Sequence, residues 1–178
     1  MKKALCILSL FAWAFVAFAQ NNRIPQRLEL AQIEVNDGQT SLEVFDMPKD
    51  GQHDYYLSVG TLGIGDEVVQ VQFDPLFELF IPLGDTLEEA METLQFMQQL
   101  FKTDPGTAIE VDGCLAPGFP NDKTEVARVT YRKNLLTHLL EFSLEREGYI
   151  RATHIPRSDF NSLITSMNLY RKIHPNEE

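Results

Sequence analysis

One stretch limits what this chain can become more than any other: Thr86–Lys102, TLEEAMETLQFMQQLFK. It opens on Thr86-Leu87-Glu88-Glu89, a capping box in which the Thr hydroxyl and the Glu carboxylate satisfy backbone N–H groups that a helix start leaves unpaired. It closes on Lys102, whose cation suits the negative end of the helix dipole, and Asp104-Pro105-Gly106 cannot prolong it. At about 100° per residue, Leu87, Ala90, Met91, Leu94, Met97 and Phe101 fall within one stripe roughly 120° wide. Each large side chain on that stripe is worth about 1.5–3 kcal/mol when buried, so the helix needs a sheet to lie on.

The first residues read as an export signal. Lys2 and Lys3 give a positive start, Ala4–Phe18 is apolar, and Ala17-Phe18-Ala19 matches a small-x-small cleavage pattern that would leave Gln20 first. A retained membrane span needs about 20 apolar residues, and the polar Gln20-Asn21-Asn22-Arg23 arrives too soon for one. Cys6 is wrongly flanked for lipid modification. Removing 19 of 178 residues leaves 159, enough for one domain with a real core. With Lys2 and Lys3 gone, 13 basic side chains face 26 acidic ones, a formal charge of −13. No basic stripe survives in the sequence, which argues against nucleic acid and against anionic membrane surfaces as partners. Cys114 is then the remaining cysteine, so no internal disulfide forms and stability rests on apolar burial.

Taken in order, residues 20–26 read as a flexible start and Arg27–Asp46 as a hairpin turning at Asn36-Asp37-Gly38-Gln39. The apolar phase slips between Leu28/Leu30 and Ile33/Val35, predicting a bulge near Ala31-Gln32. A second hairpin is expected between Tyr55/Leu57/Val59 and Val69/Val71/Phe73. Pro75–Pro82 reads as an edge strand, because proline cannot donate to a ladder. After the helix, Thr107–Asp112 and Thr124–Arg132 are strands, the second with a phase slip around Ala127-Arg128. Leu135–Glu145 fits a helix or a strand; the strand is favoured, because Glu147-Gly148 turns the chain into Tyr149–Ile155. Ser158 is expected to cap a last helix over about 158–170, with Phe160, Leu163, Ile164, Met167 and Tyr170 inward, ahead of a polar tail at 171–178. No sequence repeat is visible. These elements make one α+β domain over 27–170: a mostly antiparallel sheet, curled or two-layered, packed by one central helix and one C-terminal helix.

Chemistry is harder to find. Gly60-x-x-Gly63-x-Gly65 is followed by Asp66, Glu67 and a strand rather than a helix start and a cation, the wrong field for a phosphate. Cys114 sits beside Asp112, which opposes thiolate formation. His138 and His154 share a sheet face if Glu145 pairs with Tyr149, and point to opposite faces if Arg146 does; even on one face they lack the further ligands zinc needs. His53-Asp54 imitates part of an acid–base pair. Asp46, Asp50 and Asp54 loosely surround Gly51 without the spacing of a calcium loop. No metalloprotease, nucleophile-elbow, dithiol or Walker pattern occurs, and no motif implies a cofactor.

What remains is apolar surface the fold does not require. Phe96 lies about 180° from Leu87 with Leu100 four residues on, and Phe80 points away from Phe77, Leu79 and Ile81. Phe80, Phe96 and Leu100 are therefore the candidate interaction residues. The expected function is a secreted or periplasmic, non-catalytic binding module with a protein or small-ligand partner, a homodimer included and a membrane span excluded after signal cleavage. A small secreted hydrolase or metal enzyme using His138 and His154 is the alternative, and a structural envelope subunit the third.

Overall fold

The computed structural model describes residues 28–35, 40–48, 51–61, 77–115, 124–146 and 149–175. The expected leader and residues 20–26 lie outside these. Among the described residues, eight strands form two four-stranded antiparallel sheets in simple sequence order. The first holds β1 (Leu28–Glu34), β2 (Thr40–Asp46), β3 (Tyr55–Thr61) and β4 (Phe77–Gly84), and α1 (Leu87–Gln99) follows it. The second holds β5 (Ala108–Cys114), β6 (Glu125–Lys133), β7 (His138–Arg146) and β8 (Tyr149–Pro156), and α2 (Arg157–Ile173) follows that. This is the expected α+β architecture in its two-layered form. The described residues thus run through the same succession twice, four strands and then a helix, a repetition invisible in the sequence because the two halves share pattern rather than residues.

Thr86 caps α1 as the sequence predicts: its hydroxyl accepts from Glu89 N at 3.2 Å, and the Glu89 carboxylate accepts from Thr86 N at 3.2 Å and Asp85 N at 2.9 Å. Gly84 is required just before it. Its φ is +133°, and a Cβ there would sit 2.6 Å from Glu89 Cβ, inside the space the capping side chain occupies. All six stripe residues are buried, Leu94 completely. The last turn tightens into a 3₁₀ segment, Leu100–Lys102, which carries both Leu100 and Phe101 inward.

The two halves are interlocked. α1 packs on β3 and β4 of its own sheet, whereas α2 lies mainly on β1 and β2 of the first sheet and meets β7 and β8 only in part. The helices touch through Gln98 Nε2 to Asn161 Oδ1 at 2.7 Å and Arg171 Nη1 to Glu88 Oε2 at 3.1 Å, contacts that set them antiparallel. Beneath them Leu42, Val44, Leu57, Val59, Leu79 and Ile81 line the first sheet, and Val129, Tyr131, Leu140, Phe142 and Ile155 line the second, all in one core. Phe80 and Leu115 exchange backbone hydrogen bonds at 2.8 Å, joining the outer edge of β4 to the end of β5.

Several expectations change. Both edges of β3 are taken, by β2 and β4, so it does not form the hairpin expected with Val69–Phe73, and those residues lie outside the described set. The first bulge falls between Glu29 and Ala31, one residue early. Pro82 sits in β4 where the ladder shifts register opposite Tyr55 and Tyr56, so its missing donor costs nothing. β6 has no phase slip: Ala127, Val129 and Tyr131 alternate inward, and Val126 points out. The irregularity belongs to β5 instead, between Val111 and Cys114, where Gly113 has φ +79°. The ambiguous segment is the strand β7, but it starts at His138, leaving Leu135 and Leu136 in the turn. Ser158 is not the cap of α2. Pro156 holds that position, and the Ser158 hydroxyl reaches Asp159 instead. The helix also outruns 170, because Arg171 pairs with Glu88 and basic residues in the last turn suit the dipole.

Three substitutions test this packing. Leu94→Ala is expected to cost about 2–5 kcal/mol in denaturant unfolding, against less than about 0.5 for the exposed Gln95→Ala. Among the described residues, Thr153 Oγ1 is buried without a hydrogen-bond partner. Thr153→Val keeps the branched shape and removes that polar atom, so it is expected to leave stability unchanged or raise it by about 1 kcal/mol.

Candidate binding groove

Strand alternation decides what the second sheet shows to solvent. With Ala127, Val129 and Tyr131 turned into the core, Val126, Arg128, Thr130 and Arg132 turn out. Register carries the same parity across the sheet: Arg128 stands between Glu110 and Ser143, and Thr130 faces Glu141, which faces His154. The outcome is a polar groove of about 610 Å³. Thr130 and Ser143 form its buried floor, and Ser143 Oγ donates to Arg128 O at 3.3 Å. Glu145, Val126 and Ile150 line the end away from Arg132, where both apolar side chains are exposed.

One charged network organises the other end. Arg132 grips Glu141 through both forks, Nη2 to Oε1 at 2.8 Å and Nε to Oε2 at 3.2 Å, and His154 Nε2 lies 3.1 Å from Oε2. The guanidinium hydrogen bond lowers the Glu141 pKa below the usual carboxylate range, more than partial burial raises it, and His154 adds to the lowering. Arg132 is raised in return. Glu141 is thereby held as an anion and acceptor, the opposite of the upward tuning a general acid or base at neutral pH requires. Arg128, Glu110 and Glu145 hold no ion pair among the described residues, so the groove offers charges of both signs to an incoming molecule.

The residues singled out by sequence do not form a surface together. Phe80 is half-buried on the face of the first sheet away from the helices, with Phe45 edge-on at 5.0 Å and Tyr56 at 6.4 Å. Phe96 stands 60% exposed on α1, whereas Leu100, 4% exposed, closes on the core in the 3₁₀ turn that packs on β6 and β7 of the second sheet. His138 and His154 are on opposite faces, since Arg146 is the residue that pairs with Tyr149. His138 Nδ1 meets the Tyr131 hydroxyl at 2.5 Å beneath the sheet, and His154 belongs to the groove. The metal site built on this pair is thereby removed. No family model matches the chain, and neither a curated protein nor a solved structure is similar to it.

The loop around Gly51 is tied down by Asp46, which is buried and accepts from His53 Nδ1 at 2.6 Å and Asp54 N at 3.0 Å. His53 stacks on Tyr55, and the Tyr56 hydroxyl donates to Asp54 at 2.8 Å. Burial and that bond push the Tyr56 phenol above its ordinary range. Asp50 lies outside the described residues. Cys114 is fully buried, its Sγ 3.3 Å from Val111 O, and burial pushes the thiol up to about 11.

The groove itself is not legible in the sequence read alone. Its signal is present in the polar members of the alternation, Arg128, Thr130 and Arg132 against Glu141 and Ser143, but only strand pairing places them side by side.

The Glu141 network gives a signed pH dependence. Its folded-state pKa is depressed, so the stability it contributes is present above the unfolded carboxylate value near about 4.3 and is lost as pH falls through the lower folded value. Glu141→Gln is expected to cost a fraction of a kcal/mol to about 1 kcal/mol at pH 7, with the difference from the parent protein closing in strong acid. Cys114 is expected to react with a thiol reagent only in denaturant at neutral pH.

Proposed function

We propose that this protein is an exported, non-catalytic binding module whose ligand lies along the outward groove of the second sheet. One observation carries the reading. A sheet face on which Arg128, Glu110 and Glu145 each make no ion pair with the described residues, over a hydroxyl-lined floor, suits an extended ligand with charges of both signs, such as a peptide segment. The Arg132–Glu141–His154 network supports it by fixing the geometry of one end before any ligand arrives. Export rests on the charged start, the apolar run and the small-x-small site of residues 1–19. A secretory context fits a chain stabilised by burial, with its Cys114 thiol kept out of reach.

Hydrolytic chemistry is the second reading, and the Asp46–His53 pair favours it: a buried carboxylate orienting an exposed imidazole is half of a nucleophile-activating arrangement. Among the described residues that ring meets Asp46 and Tyr55, and no hydroxyl or thiol is set against it.

Mass spectrometry of protein recovered after export is expected to show a chain beginning at Gln20. In calorimetric titration, an extended peptide of alternating Lys and Glu is expected to bind, more weakly as salt rises. Arg128→Ala should weaken that binding about tenfold with melting unchanged. Binding that is indifferent to both Arg128→Ala and Glu145→Ala would overturn the groove assignment, and loss of ester hydrolysis in His53→Gln would favour the second reading.

A further inference from the structure

The turn between β6 and β7 carries a feature the fold does not require. Asn134 N donates to Thr137 O at 2.9 Å, closing a two-residue loop whose central positions are Leu135 and Leu136. Their side chains are 102% and 94% exposed, as open as a side chain can be. Turn positions of this kind favour Gly, Asn, Asp or Ser, which relieve the backbone or are hydrated by water. Two adjacent leucines do neither, so their full exposure at the turn points to something outside the molecule.

The surroundings say what. Lys133 precedes the loop and is exposed. Phe101 packs edge-on to Tyr131 at 5.8 Å, and Tyr131 stacks on His138 at the base of the turn, so Lys102, the next residue after Phe101, belongs to the same end of the sheet. The Arg157 guanidinium sits 5.7 Å over the Phe101 ring, and Pro156 before it pairs with Leu139. Lys102, Lys133 and Arg157 thus come from three separate elements that meet at the end of the second sheet where the leucine turn lies. Asp104 opposes them locally, and Glu141 is already balanced by Arg132 and His154. The chain as a whole carries −11, but charges act over only about 8–10 Å at physiological salt, so the local field decides.

We propose that this end of the molecule docks shallowly on an anionic lipid bilayer, with Leu135 and Leu136 entering the acyl boundary and Lys102, Lys133 and Arg157 meeting headgroup phosphates. An apolar tip with a basic collar is the chemistry of interfacial attachment, and it is separate from a membrane span. The groove plays no part in it: this docking stands or falls independently of the peptide-binding reading.

The full chain allows a local test. Its one tryptophan, Trp13, lies in the leader, so a Trp13→Phe background accepts a single reporter. Leu136→Trp places that reporter at the tip, and Gln95→Trp places a control on the exposed side of α1. With vesicles rich in phosphatidylglycerol, the tip reporter is expected to shift to the blue and to be quenched by brominated acyl chains, while the control stays water-like. The shift should fade with phosphatidylcholine vesicles and at high salt. Each basic residue near an anionic surface strengthens attachment by roughly fivefold, so Lys102→Glu with Lys133→Glu should weaken it at least about tenfold. A tip reporter that stays water-like overturns the proposal. So does an equal shift at both positions, which would mean that the leader holds the chain on the vesicle. A shift at the tip that grows with protein concentration in the absence of lipid would assign the leucines to a second copy of the chain instead.

Discussion

The structure depends on one constraint: the inner face of the first sheet is too wide for a single helix. α1 covers β3 and β4, and β1 and β2 stay open until the chain has built the whole second sheet and returned α2 across them. An amphipathic helix left against water forfeits about 1.5–3 kcal/mol for each large side chain it fails to bury. Neither half therefore closes its core without the other. The Gln98–Asn161 and Arg171–Glu88 contacts add direction to this arrangement, holding the helices antiparallel, but the burial of Leu94, Met97, Phe160 and Met167 supplies the drive. The cooperativity is topological in origin: the last helix finishes the first sheet, so stability is shared between residues far apart in sequence.

That arrangement also decides where function can reside. With both helices committed to the first sheet, the second is packed on its inner face by the 3₁₀ turn and the start of α2, and its outward face carries Arg128, Thr130, Arg132, Glu141 and Ser143. Such a face can hold paired and unpaired charge cheaply, because solvent still reaches it. Arg132, half exposed, fixes Glu141 at a smaller desolvation penalty than a fully buried ion pair would meet. The same logic separates the two histidines. His138 lies under the sheet against Tyr131 and is part of the packing, whereas His154 lies on the sheet and is part of the groove.

Features that are local in sequence are the legible ones. The capping box, the stripe of α1 and the stripe of α2 need only the helical period, and the structure reproduces each. Strands are legible as alternation but not as partners. Nothing in Tyr55–Val59 says that its second neighbour lies well along the chain, at Phe77–Gly84, because pairing is a non-local choice between strands of similar pattern. The His138–His154 relation turns on a single residue of register, which flips a side chain from one face to the other. Val126 misleads for a related reason. Its apolar side chain suggests an inward position, whereas it marks the apolar end of an otherwise polar groove. Leu100 misleads because the second sheet, whose β6 and β7 meet the 3₁₀ turn, covers a side of the helix end that periodicity alone leaves open.

Electrostatics follows the same division. The sequence supplies a total, and a strongly acidic total argues against every anionic partner. Folding redistributes it. Glu141 is neutralised where it stands, and the segments that carry Lys102, Lys133 and Arg157 (3₁₀ turn, strand and helix start) are brought to one end of the second sheet as Phe101 packs between Tyr131 and Arg157. An aromatic buried for the sake of the core thus ties the 3₁₀ turn and the start of α2 to the end of the sheet that carries the two leucines the core does not use. Net charge governs solubility and encounter at long range, but within a screening length it is the local arrangement of charges, set by packing such as that of Phe101, that an approaching molecule meets.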